Sequence, residues 1–407
     1  MKRDFDIAIA GGGMVGAALA ALLTSRPETS RLRIALLEPR PAAPPAAGDP
    51  LDLRVSALSR ASQRLFERTG AWPAVVARGA SPYRRMVVWD AADSPDGPGA
   101  IRFDAAELAE PDLGHIVENR SAQAALLKCA RERGVKLLQS GVASVVTGGD
   151  AALVTTPEDR RLSCALVIGA DGHDSAVRRL AGIGTRGWAY AQNGIVAHLA
   201  TERPHQETAW QRFLPGGPLA LLPLADGRVS LVWTVPAADA QALAALDDEA
   251  FGLRVTEASG GVLGALKPTT PRTAFPLRLM HALEYTRPRL ALIGDAAHAV
   301  HPLAGQGVNL GFMDAAALAQ VLGEALAAGR DIGEHAVLRR YERWRKAENM
   351  PAMALMDGLQ KLFGSDLPLL AWARRTGLGL VDRAEPVKRS LIRRAMGVAG
   401  DVPAALR

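Results

Sequence analysis

The 407-residue chain contains only two cysteines, Cys129 and Cys164, and only 5% of its residues are aromatic. Two cysteines within stretches predicted to be regular structure form no disulfide framework, which indicates a reducing compartment. We expect both to be buried like small hydrophobic residues. No set of His, Cys, Asp and Glu has the spacing of a metal site, and no histidine falls into a recognisable triad. The sequence therefore excludes a disulfide-rich secreted domain and predicts no metal centre.

Targeting and membrane-spanning segments are also missing from the pattern. The start, MKRDFDIAIAGGG, has no apolar core of signal-peptide length, and no apolar run is expected to reach the roughly 20 residues of a membrane span. We therefore expect a cytoplasmic protein. The net charge of +6 comes from scattered basic residues without interleaved aromatics, so nucleic acid is not an expected partner. Anionic cofactors and an acidic membrane surface remain candidates.

The periodicity predicts two kinds of architecture in one chain. A length above the roughly 100–200 residues of one domain favours two domains. Alternation predicts a buried strand at residues 5–10, a helix at 14–23 and a second strand at 32–37. At about 188–275, short apolar runs alternate with Gly, Pro and Asp turns, which is typical of an antiparallel sheet. A strand then resumes the first domain, and the residues from about 314 are expected to be helical to the end.

The segment GGGMVG follows the first predicted strand and opens the helix. It supplies a GxGxxG pattern with Gly11, Gly13 and Gly16, and Glu38 ends the second strand. The first glycine permits a tight turn, the second lets a pyrophosphate approach the backbone, and the third lets the helix pack on the strand. Glu38 is expected to accept hydrogen bonds from ribose hydroxyls. This dinucleotide site leaves NAD(P) and FAD open, and no second such unit follows.

Three further motifs point to one family. The segment VIGADGHDSAVRRLAGI contains Asp171, Gly172 and Arg178. The segments DLRVSALS and ENRSAQAALL contain Arg54, Arg120 and Gln123. The segment LIGDAAHAVHPLAGQGVNLG contains Gly294, Asp295, Pro302, Gly305, Gln306, Gly307 and Asn309. Together these motifs resemble those of the FAD-dependent aromatic hydroxylases, the single-component flavoprotein monooxygenases typified by para-hydroxybenzoate hydroxylase.

The resemblance implies FAD as the cofactor and assigns a role to each motif. The segment of Asp171 contacts the flavin pyrophosphate and the incoming nicotinamide nucleotide, and the two arginine segments contact FAD. Asp295 hydrogen-bonds the ribityl chain, and the backbone from Gly305 to Asn309 caps the pyrimidine edge. No catalytic residue is assigned, although Pro302, Gly305, Gln306 and Gly307 are expected nearest to the flavin. His298 and His301 are expected to be packing or capping residues.

The resemblance also implies an α/β (α+β) fold in which a Rossmann-like FAD-binding domain carries an inserted antiparallel-sheet substrate domain and C-terminal helices. We expect residues 1–75, 96–187 and 285–340 to form the FAD-binding domain. Residues 76–95 and 188–284 are expected to form the substrate domain, and 341–407 the C-terminal helical region. The substrate pocket is expected between the sheet and the flavin, lined by LPGGPLALLPL and its neighbours.

Longer segments, among them WQRFLPGGPLALLPL, HPLAGQGVNLG and YERWRKAENMPAMALMDGLQKLF, resemble the ubiquinone-biosynthesis hydroxylases of the UbiH, UbiI and UbiF group. The implied reaction hydroxylates the ring of a polyprenylated phenol or quinol through a flavin C4a-hydroperoxide, with O2 and with NAD(P)H as a transient electron donor. A hydroxylase of a small soluble phenol is one alternative. The other is a non-catalytic flavin-binding member of a biosynthetic assembly. A multi-enzyme ubiquinone-biosynthesis complex is a candidate partner.

Near the C-terminus, PVKRSLIRRAMG places Val387, Leu391 and Ala395 at helical spacing. Lys388, Arg389, Arg393 and Arg394 lie elsewhere on the turn, which is consistent with a helix at an anionic surface and hence peripheral contact with the inner membrane. The alternative is an ordinary amphipathic helix that packs on the domain or on a partner. The sequence leaves open the ring carbon that is hydroxylated, the tail length, the reductant, the general base and the oligomeric state. His198 is expected to be structural.

Overall fold

The computed structural model describes residues 3–46, 48–299, 306–363 and 377–407. Within these ranges the strands are β1 Ile7–Ala10, β2 Ile34–Leu37, β3 Val55–Ser59, β4 Ser81–Tyr83, β5 Arg85–Asp90, β6 Ala100–Asp104, β7 Gly114–Glu118, β8 Lys136–Leu138, β9 Ser144–Gly148, β10 Ala151–Thr155, β11 Arg161–Cys164, β12 Leu166–Gly169, β13 Thr185–Thr201, β14 Thr208–Leu214, β15 Gly217–Pro223, β16 Val229–Pro236, β17 Leu266–Pro268, β18 Thr273–Ala282, β19 Thr286–Arg287, β20 Leu290–Leu292 and β21 His298–Ala299. The α-helices are α1 Met14–Ser25, α2 Arg60–Thr69, α3 Trp72–Ala77, α4 Asn119–Glu132, α5 Ala176–Leu180, α6 Ala237–Ala245, α7 Asp248–Ala258, α8 Gln306–Ala327, α9 His335–Phe363 and α10 Glu385–Ala395. Residues 377–383 are also helical.

The first sheet has the strand order β19-β20-β12-β1-β2-β8. All of its pairs are parallel except the edge pair β19–β20. Its central strands β1, β2, β12 and β20 are buried throughout, as expected for a parallel sheet covered by helices on both faces. The predicted α/β fold with a Rossmann-like parallel sheet is confirmed, and the predicted strands at 5–10 and 32–37 correspond to β1 and β2.

Helix α1 is buried along nearly its whole length, because it lies under the parallel sheet and packs against α4 and α8. An alanine-rich sequence suits this position, since small side chains let three elements approach one another closely. The few large side chains, such as Leu19, Leu22 and Leu23, are at most 1% exposed. Burying each of these leucines stabilises the fold by about 1.5–3 kcal/mol. The first strand and helix are therefore anchored in the main core.

Helix α8 corrects the expectation that no apolar run is long enough to cross a membrane. By length and composition, Gly307–Ala327 meets that requirement. About 67% of its most apolar window is buried inside the protein, between α1 and α9. A helix that is apolar on most sides is expected in the core of a large domain. Packing in the core thus accounts for its composition.

The second large sheet has the order β21-β18-β13-β16-β15-β14-β5-β6, with β17 paired to β13. It is antiparallel except for the pair β14–β5. Most of it comes from residues 185–282, so the predicted antiparallel sheet is confirmed. Strand β6 joins this sheet from beyond residue 95, and β21 joins it from beyond residue 284. Two three-stranded sheets, β11-β10-β9 and β3-β7-β4, complete the architecture.

The C-terminal part is only partly helical, which corrects the expectation of helix to the end. Gly397 and Gly400 adopt positive φ angles of 70° and 86° after α10, and Pro403 follows. These residues end the helix, and a 3₁₀ turn over Ala404–Leu406 places Leu406 in the main core. Cys164 is buried, as expected, but Cys129 is only half-buried, which corrects the expectation for that residue. Burial raises the pKa of the Cys164 thiol to about 12, so this thiol stays protonated.

Candidate cofactor and substrate site

A cavity of about 1290 Å³ connects the carboxyl ends of the parallel strands to one face of the large sheet. In open α/β sheets, ligands bind at this edge. At the parallel-sheet end the lining includes Gly11, Gly13, Glu38, Arg54, Gln123, Asp171, Gly172, Asp295 and Gly307. At the large-sheet end it includes Tyr83, Met86, Val196, Ala209, Gln211, Ala220, Leu222, Ser230 and Val232. The cavity exceeds the roughly 300–1,000 Å³ of ordinary ligand pockets, so it has room for a large cofactor and a second molecule.

The glycine loop between β1 and α1 is shaped by close contacts that side chains would prevent. Gly11 has φ +99°, and a Cβ there would lie 2.3 Å from the Ala170 carbonyl oxygen. A Cβ on Gly16 would lie 1.9 Å from the Gly11 carbonyl oxygen, so α1 packs tightly on the loop. Gly13 has nothing within 4 Å of an added Cβ and lines the cavity. The N-terminus of α1 thus opens onto the cavity, where its dipole favours an anion.

Glu38 and Gln123 hold the peptide groups of Gly12 from two sides. The Gly12 amide donates to Glu38 Oε2 at 2.8 Å, and Gln123 Nε2 donates to the Gly12 carbonyl at 2.8 Å. The Arg40 amide donates to Glu38 Oε1 at 3.0 Å. Both side chains line the cavity, where Glu38 has further lone pairs for ribose hydroxyls. Glu38 and Gln123 therefore orient the glycine loop and also face the cavity.

The segment after β12 is fixed by its own side chains. Asp171 accepts from Ser175 Oγ at 2.5 Å and from the Val177 amide at 3.1 Å, which caps α5. Arg178 is only 7% exposed, and its guanidinium donates to the carbonyls of His173 at 2.7 Å and Ala296 at 2.8 Å. Arg178 therefore ties this segment to the turn after β20. Asp171 and Gly172 line the cavity, whereas Arg178 does not.

Arg54, just before β3, and Arg120, in the first turn of α4, take different positions. Arg54 precedes β3 and lines the cavity, where its charge offsets part of the rise in the Asp295 pKa that burial causes. Arg120 instead donates through Nε to the Ala43 carbonyl at 3.1 Å and lies 3.6 Å from Asp49. Both partners belong to the proline-rich loop after β2. The structure brings Arg54 to the cavity and directs Arg120 to this loop.

The turn after β20 and the start of α8 form the remaining wall at this end. Asp295 lines the cavity, so its carboxyl is accessible to solvent within the cavity. Protein nevertheless surrounds the carboxyl, and this burial raises its pKa. Gly307 opens onto the cavity from the first turn of α8. Asn309 accepts from the Ser59 amide at 3.0 Å and donates to the Ala57 carbonyl at 2.9 Å. Asn309 therefore joins α8 to β3.

Some predicted residues cannot be placed in this wall. Pro302, Gly305 and His301 lie outside the described residues. Gln306 begins α8, and its side chain is likewise outside the description. The described part of the wall is therefore the turn at Gly294 and Asp295 together with the backbone from residue 307 onward.

A buried carboxylate, Asp314 of α8, holds this wall from behind. It accepts from the Gly294 amide at 3.0 Å, contacts His298 Nε2 at 2.5 Å, and accepts from Arg345 Nε at 2.7 Å and Asn349 Nδ2 at 3.1 Å. Asp314 is fully buried. Burial alone opposes its ionisation, but His298 and Arg345 outweigh this effect and lower the pKa of Asp314 to about 2. His298 is thus a structural partner of Asp314, as its expected packing role implied.

Asp314, Arg345 and Asn349 were missed by sequence reasoning. The signal was a lone aspartate within the apolar helical run FMDAAALAQ, which predicts a buried charge that needs partners. Arg345 and Asn349 lie one helical turn apart in YERWRKAEN, so they share a face of α9. The contact between the two helices brings all three together, and no local pattern identifies that contact.

The residues present fit FAD at this end of the cavity. The glycine loop and the N-terminus of α1 suit the pyrophosphate, and Glu38 suits a ribose. Asp295 offers a carboxylate to the ribityl hydroxyls, and the first turn of α8 presents its positive end to the same space. The apolar face of the large sheet closes the opposite end. This arrangement leaves room for an aromatic ring between the flavin and the sheet.

The expected contact of Asp295 with the ribityl chain predicts the effect of Asp295→Ala. The variant is expected to bind FAD about 10- to 100-fold more weakly, because the hydroxyls lose a charged acceptor worth roughly 1.5–3 kcal/mol. The dissociation constant is measured from the quenching of flavin fluorescence. Asp174→Ala is the matched control, since Asp174 also lines the cavity but its side chain is 87% exposed. Equal affinity of the parent and Asp295→Ala would refute this placement.

The buried network predicts a stability difference between two carboxylates. Asp314→Asn is expected to lower the free energy of unfolding by about 3–5 kcal/mol, because it leaves Arg345 without its buried counter-charge. Glu334→Gln, which removes an exposed ion pair with Arg330 at 2.7 Å, is expected to cost less than about 1 kcal/mol. Urea unfolding measures both.

The pH dependence of this difference follows from the lowered pKa. A carboxyl whose folded pKa lies below its unfolded value of 3.8 stabilises the fold above that value and loses the effect as pH falls through about 2. The deficit of Asp314→Asn should therefore be constant at neutral pH and shrink between about pH 4 and 2. A deficit that grows on acidification would contradict the assignment.

Comparisons with known proteins agree with this geometry. A family model described as an FAD binding domain matches residues 4–354. The chain is 38% identical over 399 residues to the 3-demethoxyubiquinol 3-hydroxylase of Escherichia coli K12, covering 98% of this chain and 100% of that protein. It is 37% identical over 440 residues to the mitochondrial ubiquinone biosynthesis monooxygenase COQ6 of Xenopus tropicalis, covering 95% of this chain and 92% of that protein.

A further relative and a solved structure extend the comparison. The chain is 38% identical over 395 residues to the ubiquinone hydroxylase UbiL of Rhodospirillum rubrum, covering 96% of this chain and 89% of that protein. The crystal structure of p-nitrophenol 4-monooxygenase PnpA from Pseudomonas putida DLL-E4 superposes with a TM-score of 0.76 at 17% identity, covering 98% of this chain and 100% of that one, and shows a shared fold. The chain therefore belongs to the FAD-binding monooxygenases with the para-hydroxybenzoate hydroxylase fold, within the group of ubiquinone-biosynthesis hydroxylases.

Proposed function

We propose that this protein hydroxylates the aromatic ring of a polyprenylated phenol or quinol intermediate in ubiquinone biosynthesis, using O2 and NAD(P)H. The observation that carries the proposal is the continuous cavity, which joins a dinucleotide cradle to the apolar face of the large sheet. The similarity to 3-demethoxyubiquinol 3-hydroxylase and to the ubiquinone biosynthesis monooxygenase COQ6 supports the same pathway.

FAD, when bound, supplies the redox chemistry and the activation of O2, and the protein supplies position, charge and exclusion of water. The glycine loop would hold the phosphates, Asp295 would hold the ribityl chain, and the helix dipole at Gly307 would stabilise negative charge in the space beside it. The large sheet covers the reacting ring with aliphatic side chains, which keeps water away from it. The sequence contains one GxGxxG unit in a βαβ context, so the nicotinamide donor is proposed to bind transiently.

The sheet end of the cavity favours a lipid-tailed phenol over a hydroxybenzoate. Among the described residues that line this end, Val196, Ala209, Ala220, Leu222 and Val232 are aliphatic, and none is Lys or Arg. A benzoate carboxylate buried there would have no cationic partner, which costs several kcal/mol relative to water. A polyprenyl substituent needs no such partner and gains from apolar contact.

We further propose a cytoplasmic location with peripheral contact at the inner membrane surface, where lipid-tailed substrates reside. Val387 and Leu391 on α10 are 50% and 38% exposed, and the exposed Arg393 and Arg394 lie on the same helix. A different side of α10 packs on the protein through Ile392. Lys388, expected among the surface cations, is buried and pairs with acidic side chains. Membership of a multi-enzyme assembly remains part of this proposal.

The substrate class is tested with purified holoenzyme. A short-tailed demethoxyquinol analogue is expected to stimulate NAD(P)H oxidation and to gain one oxygen atom by mass spectrometry, whereas 4-hydroxybenzoate is expected to do neither. Complementation of strains that each lack one ring hydroxylase then identifies the carbon. Stimulation by 4-hydroxybenzoate alone would overturn the proposal. Retained FAD without hydroxylation of any phenol would favour the non-catalytic alternative.

Membrane contact is tested with Leu391→Asp by flotation with vesicles of phosphatidylglycerol or phosphatidylcholine. The parent is expected to bind the anionic vesicles preferentially. Leu391→Asp is expected to bind them roughly 10-fold more weakly, since it loses the burial of one leucine in the interface. Leu253→Asp on α7 is the matched control, because Leu253 is 66% exposed and belongs to a different helix. Equal flotation of the parent and Leu391→Asp would contradict this surface.

A further inference from the structure

Side chains on strands β13 and β16 alternate between two environments. Ile195 and Ala197 of β13 and Leu231 of β16 belong to an apolar core on the side of α6 and α7. Val196 and Val232, which alternate with them, line the cavity. Successive side chains of a strand point to opposite faces of the sheet. Residues an even number of positions from Val196 on β13, or from Val232 on β16, therefore face the cavity side.

A neighbouring pair of polar side chains, one from each strand, interrupts this cavity-side face. His198 and Ser230 have the same parity as Val196 and Val232, and they are direct partners in the antiparallel ladder. Directly opposed residues have Cβ atoms about 4.5–5.5 Å apart on one face. His198 is 0% exposed and Ser230 is 1% exposed, and Ser230 lines the cavity. An imidazole and a hydroxyl thus lie side by side in an aliphatic wall.

Neither side chain has a hydrogen-bond partner among the described residues. Both ring nitrogens of His198 and the Oγ of Ser230 are buried and unpaired. Buried polar groups are nearly always hydrogen-bonded, so an unpaired pair at a cavity wall points to a ligand. Ser230 lines the cavity and His198 lies beside it without lining it, and two further residues of the lining, Asn119 and Trp210, also have unpaired buried atoms. Asn119 lies at the cofactor end, and the Trp210 ring packs on the opposite face against Trp89, with ring centroids 6.2 Å apart.

Several charged groups surround His198. Arg228 directly precedes β16, Asp226 lies in the turn before it, and Asp52 lies in the loop before β3. The Leu53 carbonyl of that loop also faces the ring, but it makes no hydrogen bond of normal geometry with it. Burial and the charge of Arg228 together lower the pKa of His198, against the opposing effect of the two aspartates and the carbonyl. At neutral pH the imidazole is therefore neutral and able to accept a proton.

We propose, on the basis of the proposed function, that Ser230 binds the ring hydroxyl of the substrate and that His198 accepts its proton through Ser230. The substrate O–H bond breaks as its proton moves to Ser230 Oγ, and the proton of Ser230 moves to a ring nitrogen of His198. Ser230 is then the residue that touches the substrate, and His198 acts through it.

This transfer is matched to the chemistry of ring hydroxylation. When an oxygen atom derived from O2 adds to the ring, the ring hydroxyl loses electron density and its proton becomes more acidic. A neutral imidazole accepts that proton at this moment, which keeps the ring electron-rich. The proton returns to the ring oxygen when the hydrogen on the newly oxygenated carbon leaves to solvent and the ring becomes aromatic again. The two electrons that reduce the second oxygen atom come from NAD(P)H.

The Ser230 contact is tested by binding, without turnover. A short-tailed phenol and its methyl ether are titrated into the FAD-loaded parent, and the phenol is expected to bind about 10- to 100-fold more tightly, because only the phenol pairs with the buried hydroxyl. In Ser230→Ala this ratio is expected to fall close to one, and in Ser230→Thr it is expected to recover. Thr273→Val, which alters another polar residue of the cavity wall, should keep the parental ratio. A parental ratio in Ser230→Ala overturns the proposal.

The role of His198 is tested by the pH profile of hydroxylation. In the parent, the rate is expected to fall on acidification through a pKa below 6.5, as the imidazole becomes protonated and ceases to accept. His198→Gln is expected to lose this acid limb and to have a maximal rate about 100-fold lower. Its FAD affinity and thermal unfolding midpoint should match the parent, which separates this effect from misfolding. An unchanged acid limb in His198→Gln overturns the proton-acceptor role.

The two proposals fail in distinguishable ways. If the parent hydroxylates no phenol or quinol, the proposed function fails, whatever the variants do. If the parent hydroxylates the quinol analogue and both variants match it in binding ratio and pH profile, only the inference on Ser230 and His198 fails.

Discussion

The buried carboxylate of Asp314 joins the segments on which the flavin end of the site depends. Its two oxygens contact the amide of Gly294, the ring of His298 and the side chains of Arg345 and Asn349. These partners come from the turn after β20, from β21 and from α9. A charge in the core is stable only when its neighbours compensate for lost hydration, so the carboxylate constrains all three segments together. The positions of Asp295 and of the first turn of α8 follow from this constraint.

Near the glycine turn between β1 and α1, side chains likewise hold neighbouring backbone segments in place. Gln123 and Arg178, which a motif comparison assigns to the cofactor, make hydrogen bonds to backbone carbonyls of neighbouring loops. Glu38 likewise accepts from the Gly12 amide while it faces the cavity. A loop held in this way does not need to rearrange when an anion arrives, so less binding energy is lost in ordering it. These side chains therefore fix the shape of the loops next to the cavity.

The large sheet contributes a different kind of environment. Its cavity face is mostly apolar, and among the described residues its sheet end has no Lys or Arg. Bound FAD would supply the redox chemistry, and the wall excludes water and offers space for an apolar tail. Ser230 and His198 differ from the other polar residues of this sheet end, since their side-chain polar atoms are buried and unpaired among the described residues. We infer that the protein's own acid–base chemistry is concentrated at this pair.

Much of the fold and part of the site could be read from the sequence. Strand periodicity predicted β1, β2 and the antiparallel sheet, because each depends on local alternation of apolar residues. Local spacing also placed Gly11, Gly13 and Gly16, since a tight turn between a strand and a helix restricts its own residues sterically. The Asp314 network and the pairing of His198 with Ser230 join segments far apart in the chain, so no local pattern predicts them. Arg120 illustrates the same limit, because its position in α4 followed from the sequence but its direction toward the loop at Ala43 did not. The sequence by itself determined the order of elements and the glycine turn, which depend on short-range sterics and periodicity. Only the tertiary structure decided which distant side chains meet, because burial and charge compensation depend on neighbours that the linear order does not specify.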